Sequence, residues 1–239
     1  MVRPIVNRFK DGASVAKAAA ADLFSYVSGL LDSQARVDIA VTGGTVGIAT
    51  LAEASHLDFN SLDLSRLHIW WGDERFVTSA NPDRNALQAA NAWLSKLNIP
   101  TANIHEFPAA DHLELHEAAT SFNKRFKDSQ VTFDLMLMGI GPDGHIASLF
   151  PGKPTLSSEA LVVAEDDSPK PPSLRLSFTL NVINSSKQIW FTVAGADKAD
   201  AVAVAFGDEP GSLPVGRVHG KEKTVWYVDQ TAGNLVWGC

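Results

Sequence analysis

Along this chain, short apolar runs alternate with longer segments in which apolar residues recur every three or four positions. The first such segment covers residues 14–31, where Val15, Ala18, Ala19, Leu23, Tyr26, Val27 and Leu30 share one helical face and Ser14 offers an N-cap. Residues 37–41 read as a buried strand, closed by Thr42-Gly43-Gly44-Thr45, and a helix over 46–54 leaves that turn. The next strand, 67–71, ends in Gly72-Asp73-Glu74-Arg75. Helices are expected over 85–97 and 111–127, with a short strand at 103–107 between them. Residues 133–140 are almost continuously apolar, the pattern of a strand covered on both faces. That run opens into Gly141-Pro142-Asp143-Gly144-His145, and a short helix is expected to carry the chain from His145 to residue 150. Beyond Pro151 the chain is loop-rich to residue 172, with a strand at 160–164; strands at 173–180, 188–193 and 224–228 and a helix at 197–206 complete the pattern.

Strands alternating with helices predict an α/β fold, Rossmann-like, with a mostly parallel sheet, helices on both faces and some mixed or antiparallel edge strands. Residues 1–239 contain no repeat, low-complexity tract or linker, so a single domain is expected. In open α/β sheets ligands bind beyond the carboxyl ends of the strands. Three polar, glycine-containing clusters fall at such ends here.

Composition narrows the partners. Against 20 Lys and Arg stand 27 Asp and Glu, a net charge of −7, which argues against nucleic acid as a ligand. Cys239 is the only cysteine, so no internal disulfide and no thiolate zinc site are expected, and a bystander role is assigned to it. No apolar run approaches the roughly 18 residues of a membrane span, and the start (Met1-Val2-Arg3-Pro4) lacks an apolar signal core. A cytoplasmic protein, without membrane contact, is the expectation.

Each cluster has a chemical reading. In Thr42-Gly43-Gly44-Thr45 the glycines let the backbone approach a ligand, and the N–H groups opening the next helix favour an anion. The segment lacks the Gly-x-Gly-x-x-Gly spacing of dinucleotide sites and the lysine of a P-loop, and a plain tight turn is the competing reading. Arg75 suits bidentate recognition of phosphate or carboxylate, whereas Asp73 and Glu74 suit proton transfer, orientation of another side chain, or pairing with Arg75. Asn81 to Asn85 reads as turn and capping chemistry. His145 is the candidate general acid/base, with Asp143 as a possible orienting carboxylate. Arg175 and Lys198, each beside a strand end, are candidates to complete an anion pocket. His112 and His116 are spaced i,i+4 but lack the glutamate of a zinc-protease helix, so no metal site is expected.

Together these segments resemble the 6-phosphogluconolactonase family. Residues 134–151 (DLMLMGIGPDGHIASLFP) resemble its signature at nearly every position, and 71–77 (WGDERFV) resemble a second motif. Residues 170–180 and 193–199 resemble a third and fourth, in family order, and Leu213-Pro214 and 226–232 resemble its C-terminal pattern. The chain departs from the family at Val46, where a hydroxyl is usual, at Thr78, where proline is common, at Arg84, where serine is common, and at Ile146, where threonine is usual. Arg84 is expected either to add charge to the pocket or to point away.

The resemblance implies hydrolysis of 6-phospho-D-glucono-1,5-lactone to 6-phospho-D-gluconate in the oxidative pentose phosphate pathway, with no cofactor. It implies His145 as the acid/base, oriented by Asp73 or Asp143, and Gly43, Gly44, Thr45, Arg75, Arg175 and Lys198 as the phosphate site. A monomer or weak homo-oligomer is expected, with a small-molecule sugar-phosphate lactone as its partner. Two alternatives stand beside it: a glucosamine-6-phosphate deaminase/isomerase-like enzyme, and a non-enzymatic sugar-phosphate-binding domain of a regulator. The Asp73-Glu74-Arg75 ending favours the lactonase over the deaminase, and a 239-residue acidic chain leaves no room for a DNA-binding segment.

Overall fold

The computed structural model describes residues 3–237; the bystander reading of Cys239 lies outside the described residues. Six parallel strands form the main sheet: β1 (Ile5–Phe9), β2 (Val37–Val41), β3 (Leu67–Trp71), β5 (Leu135–Met138), β8 (Gln188–Val193) and β9 (Lys223–Asp229), in spatial order β1-β9-β8-β5-β2-β3. Three more, β4 (Asp73–Arg75), β6 (Val162–Glu165) and β7 (Arg175–Phe178), make a small antiparallel sheet in the order β4-β7-β6. The helices are α1 (Gly12–Ser33), α2 (Thr45–Ala54), α3 (Asn85–Ala92), α4 (Leu115–Ser129), α5 (Leu180–Ile183), α6 (Ala199–Phe206) and α7 (Asn234–Trp237).

Strand register shows why the central strands read as continuous apolar runs. Trp190 of β8 and Tyr227 of β9 face α1, where Tyr26 packs on Trp190 and Asp22 accepts the Tyr227 hydroxyl proton at 2.8 Å. Their neighbours Phe191 and Trp226 face the other side, against Phe206 of α6. Trp70 lies in the row Trp70–Ala40–Met136–Ile189 and so shares that second face, where Phe122 and Phe126 of α4 pack on it. Helices therefore cover both faces, as the pattern predicts, and both layers join one apolar core.

Four local expectations are corrected. The cap of α1 is Asp11, whose carboxylate accepts the Ser14 N–H at 2.8 Å; an ionised oxygen is the stronger acceptor at a positive helix end. Residues 103–107 make a lone bridge from Ile104 to Ile69 rather than a strand, after a 3-10 turn at Thr101–Asn103. The segment after His145 is a run of turns, not a helix: Ile146, Leu149 and Phe150 are buried at i, i+3, i+4 spacing, but Ala147 takes φ +47° between them. Lastly, Asp73-Glu74-Arg75, expected as the polar ending of the 67–71 strand, is itself strand β4. Gly72 is the joint: its N–H bonds Val41 in the main sheet, and its carbonyl accepts from Phe178 in the small one.

Candidate active site

Because the main sheet is parallel, the turns after β2, β3, β5 and β8 emerge at one edge. They surround a cleft of about 740 Å³, with a smaller recess of about 110 Å³ at its inner wall. Gly43, Gly44, Arg75, Gly139, His145 and Arg175 line both; Thr45, Lys170 and Lys198 line the cleft, and Asp73 and Asn85 the recess. Of the nine residues picked from sequence, eight border this space. Asp143 stands behind His145.

The glycines here have specific tasks. Gly44, at φ +78°, is the N-cap of α2, a ten-residue helix whose first turn has no side-chain cap. Its opening N–H groups and its partial positive charge therefore face the cleft. A side chain at Gly43 would collide with the Asn85 amide oxygen, and one at Gly141 with the His145 ring and the Asp143 carboxylate. Close packing across the loops thus requires both positions bare.

His145 Nδ1 meets Asp143 Oδ1 at 2.5 Å. Burial raises the Asp143 carboxyl, but the His145 hydrogen bond and the charges of His145 and Lys170 outweigh it and hold the group at about 2. An ionised carboxylate only accepts, so Nδ1 carries the proton and Nε2 is left as the basic nitrogen. Phe150 packs its ring 4.6 Å from the imidazole, fixing the ring plane from the apolar side. Of the two carboxylates proposed to orient His145, Asp143 makes the contact. Asp73 is spent elsewhere: its Oδ2 accepts the Ser148 hydroxyl proton at 2.6 Å and lies 4.0 Å from Arg175 Nη1.

The cations are held in place. Arg175 is buried and donates Nε to the Pro172 carbonyl at 2.8 Å and Nη2 to that of Lys170 at 3.1 Å, across the cis Pro171–Pro172 bond. Arg75 donates Nη1 to the Asp83 carbonyl at 2.7 Å. Lys198 pairs with Asp197 at 2.9 Å. Lys170, at the start of the third motif and outside the expected anion pocket, lies 4.0 Å from Asp143. Burial lowers its ammonium pKa, and the Lys198 and Arg175 charges push the same way against Asp143. Four cationic side chains, Arg75, Lys170, Arg175 and Lys198, thus border one cleft, an arrangement suited to an anion.

Glu74 and Arg84 resolve differently from the cluster they sit in. The buried Glu74 carboxylate accepts the N–H groups of Asn85 and Ala86 at 2.7 and 2.9 Å, capping α3 from a neighbouring strand, and that of Arg75 at 2.8 Å. Burial pushes its carboxyl up to about 7 against Arg84 and these three donors. Arg84 points away from the cleft. It is buried, 3.8 Å from Glu74, and donates to Glu106 at 3.1 Å and to the Phe107 carbonyl at 2.9 Å. Ile146 is fully buried in the core, so its missing hydroxyl is no loss to the cleft. Asn85 is the first residue of α3 rather than its cap: it donates Nδ2 to the Asp73 carbonyl at 3.0 Å and stitches α3 to β4. Among the described residues no group of three or more His, Cys, Asp and Glu side chains could hold a metal ion, and no helix is long and apolar enough to cross a membrane.

Residues 10–226 match the family described as glucosamine-6-phosphate isomerases/6-phosphogluconolactonase. A 6-phosphogluconolactonase of Mycobacterium tuberculosis is 37% identical over 238 residues, spanning 95% of this chain and 96% of that protein. The crystal structure of 6-phosphogluconolactonase from Thermotoga maritima superposes with a TM-score of 0.86 at 26% identity, covering 95% of this chain and 100% of the other. A monomeric glucosamine-6-phosphate deaminase shares the fold, with a TM-score of 0.80 at 20% identity over 97% of this chain and 99% of that one.

Proposed function

The chain belongs to the glucosamine-6-phosphate isomerase/6-phosphogluconolactonase family, and we propose from that membership how it hydrolyses 6-phospho-D-glucono-1,5-lactone to 6-phospho-D-gluconate, a step of the oxidative pentose phosphate pathway. One observation carries the mechanism: a histidine with Nδ1 pinned to an ionised aspartate shares a cleft with a glycine-opened helix and four cationic side chains.

The phosphate lies against the α2 N-terminus at Gly43, Gly44 and Thr45, neutralised by Arg75, Arg175, Lys170 and Lys198. This half of the site supplies binding. At the other end, His145 Nε2 takes a proton from a water as its oxygen adds to the C1 carbonyl. Backbone N–H groups of the glycine-rich loops receive the oxyanion. As the tetrahedral carbon collapses, the ring C1–O bond breaks, and His145 returns its proton to the departing ring oxygen. Asp143 stays ionised and stabilises the imidazolium formed between the two transfers. A lactone is an activated ester, so one well-held acid/base is sufficient.

The deaminase reading keeps the fold but not the residue evidence, since that likeness lies at 20% identity. Freshly generated 6-phosphogluconolactone and glucosamine-6-phosphate, offered to the same preparation, separate the two. Acid release above the spontaneous rate from the first, with no ammonia from the second, is expected. Ammonia release without lactone hydrolysis overturns the proposal.

A further inference from the structure

We infer that Ser148 and Ala147 form a latch that positions His145, anchored on Asp73; this inference rests on the lactonase reading above. Ser148 is fully buried, three residues past the histidine. Its hydroxyl donates to Asp73 Oδ2 at 2.6 Å, a contact that joins residues 75 positions apart in the chain. Its backbone N–H donates to the Ser177 hydroxyl at 3.2 Å, and that hydroxyl donates to the Phe178 carbonyl at 2.9 Å. The loop carrying the acid/base is thus tied to two adjacent strands of the small sheet, the edge strand β4 through Asp73 and the central strand β7 through Ser177.

Ala147 shows that the tie is under tension. Its φ of +47° is a left-handed conformation that a residue with a Cβ disfavours. Such a conformation persists only where its surroundings impose it. Here the surroundings are Ile146 and Leu149 buried on either side, the Gly141 N–H bonded to the His145 carbonyl at 2.8 Å, and the Ser148 contacts. The result keeps His145 at the cleft while both its apolar neighbours point into the core.

The anchor has a second attachment. Asp73 Oδ2, which receives the Ser148 proton, is also the atom 4.0 Å from Arg175 Nη1. One carboxylate therefore sets the distance between the histidine loop and a phosphate-facing arginine. In a reaction with a bound phosphate at one end and a water to be deprotonated at the other, that distance decides whether Nε2 reaches the water. Ser148 and Ala147 act through His145; they are positioning residues.

The test is a double-mutant cycle on steady-state lactone hydrolysis with the spontaneous rate subtracted. Ser148→Ala is expected to lower kcat about tenfold with KM within about twofold, as loss of one charge-assisted hydrogen bond predicts. In an Asp73→Ala background the same change is expected to cost less than about twofold, because its partner is already gone. Unchanged kcat in Ser148→Ala, or an equal cost in both backgrounds, overturns the latch. If Ser148→Ala does not fold, Ser148→Cys takes its place: a thiol of similar size is a much weaker donor to Asp73, so a fall in kcat at constant KM supports the latch and wild-type kinetics overturn it. A wild-type protein with no activity above the spontaneous rate overturns the lactonase reading, and a latch without effect in an active enzyme overturns only the latch.

Discussion

At the scale of single residues, neighbouring charges in the chain have separate employments. Asp73, Glu74 and Arg75 are consecutive, yet Asp73 bonds a serine on the histidine loop, Glu74 caps α3 and Arg75 lines the cleft. Arg75→Ala removes binding without touching proton transfer. KM for the lactone is expected to rise roughly 10- to 100-fold, with a smaller loss in kcat; unchanged KM in the steady-state assay contradicts the phosphate role. Arg84 belongs to the fold. Removing its side chain takes the donors from Glu106 and the Phe107 carbonyl and leaves Glu74, already at about 7, to take up a proton in place of its cationic neighbour, so Arg84→Ala is expected to cost about 1–3 kcal/mol in a denaturant melt. A melt within about 0.5 kcal/mol of wild type would show that the three backbone donors suffice for Glu74.

At the scale of elements, what the sequence made legible was what one face or one run could express. The buried strands β2, β3, β5 and β8 and the stripe Leu115, Ala118, Ala119, Phe122, Phe126 on α4 are stated by their own residues. Strand β1 was not expected: it is an edge strand with Ile5 exposed and no clean alternation. Strand β4 was not expected either, because three charged residues become a strand only by pairing with β7, 100 residues on. The turn after His145 imitates a helix because i, i+3, i+4 burial is compatible with either. The site was legible wherever a motif held a residue type suited to anions. It was not legible at Ser148 or Lys170, whose roles come from contacts across the chain.

The far edge of the sheet carries a pH-dependent element. His68 on β3 and His105 pair at 2.9 Å, and His105 stacks on Trp70 at 3.9 Å. Burial, then the His68 and Arg125 charges, lowers His105 to about 4; burial and Arg36 lower His68. Between the ordinary histidine range and about 4 the unfolded chain takes up a proton that the folded chain refuses. The pair's contribution is therefore complete above about pH 6.5 and is lost as pH falls towards 4. Thermal melts are expected to show Tm dropping through that window, with a shallower drop in His105→Gln. Equal slopes would remove the pair from the account.

At the scale of the whole molecule, the cleft opposes the protein's own sign. The chain carries a net charge of −7, while Arg75, Arg175, Lys170 and Lys198 converge on one space at the strand ends. An anionic substrate is repelled by the surface and held by the cleft, so its binding depends on ionic strength through both. Close pairs in a partly buried cleft dominate, and screening shortens their reach from roughly 30 Å at 0.01 M salt to roughly 3 Å at 1 M. KM is expected to rise severalfold across that range with kcat little changed; a KM independent of salt contradicts a charge-built phosphate site.

The central claim is that His145, held by Asp143, moves the proton. Hydrolysis of freshly generated 6-phosphogluconolactone by wild-type and His145→Ala protein, with the spontaneous rate subtracted, tests it most directly. The expected result is a loss in kcat of roughly 10²- to 10⁴-fold with KM spared. A His145→Ala protein that hydrolyses the lactone at the wild-type rate would contradict the account.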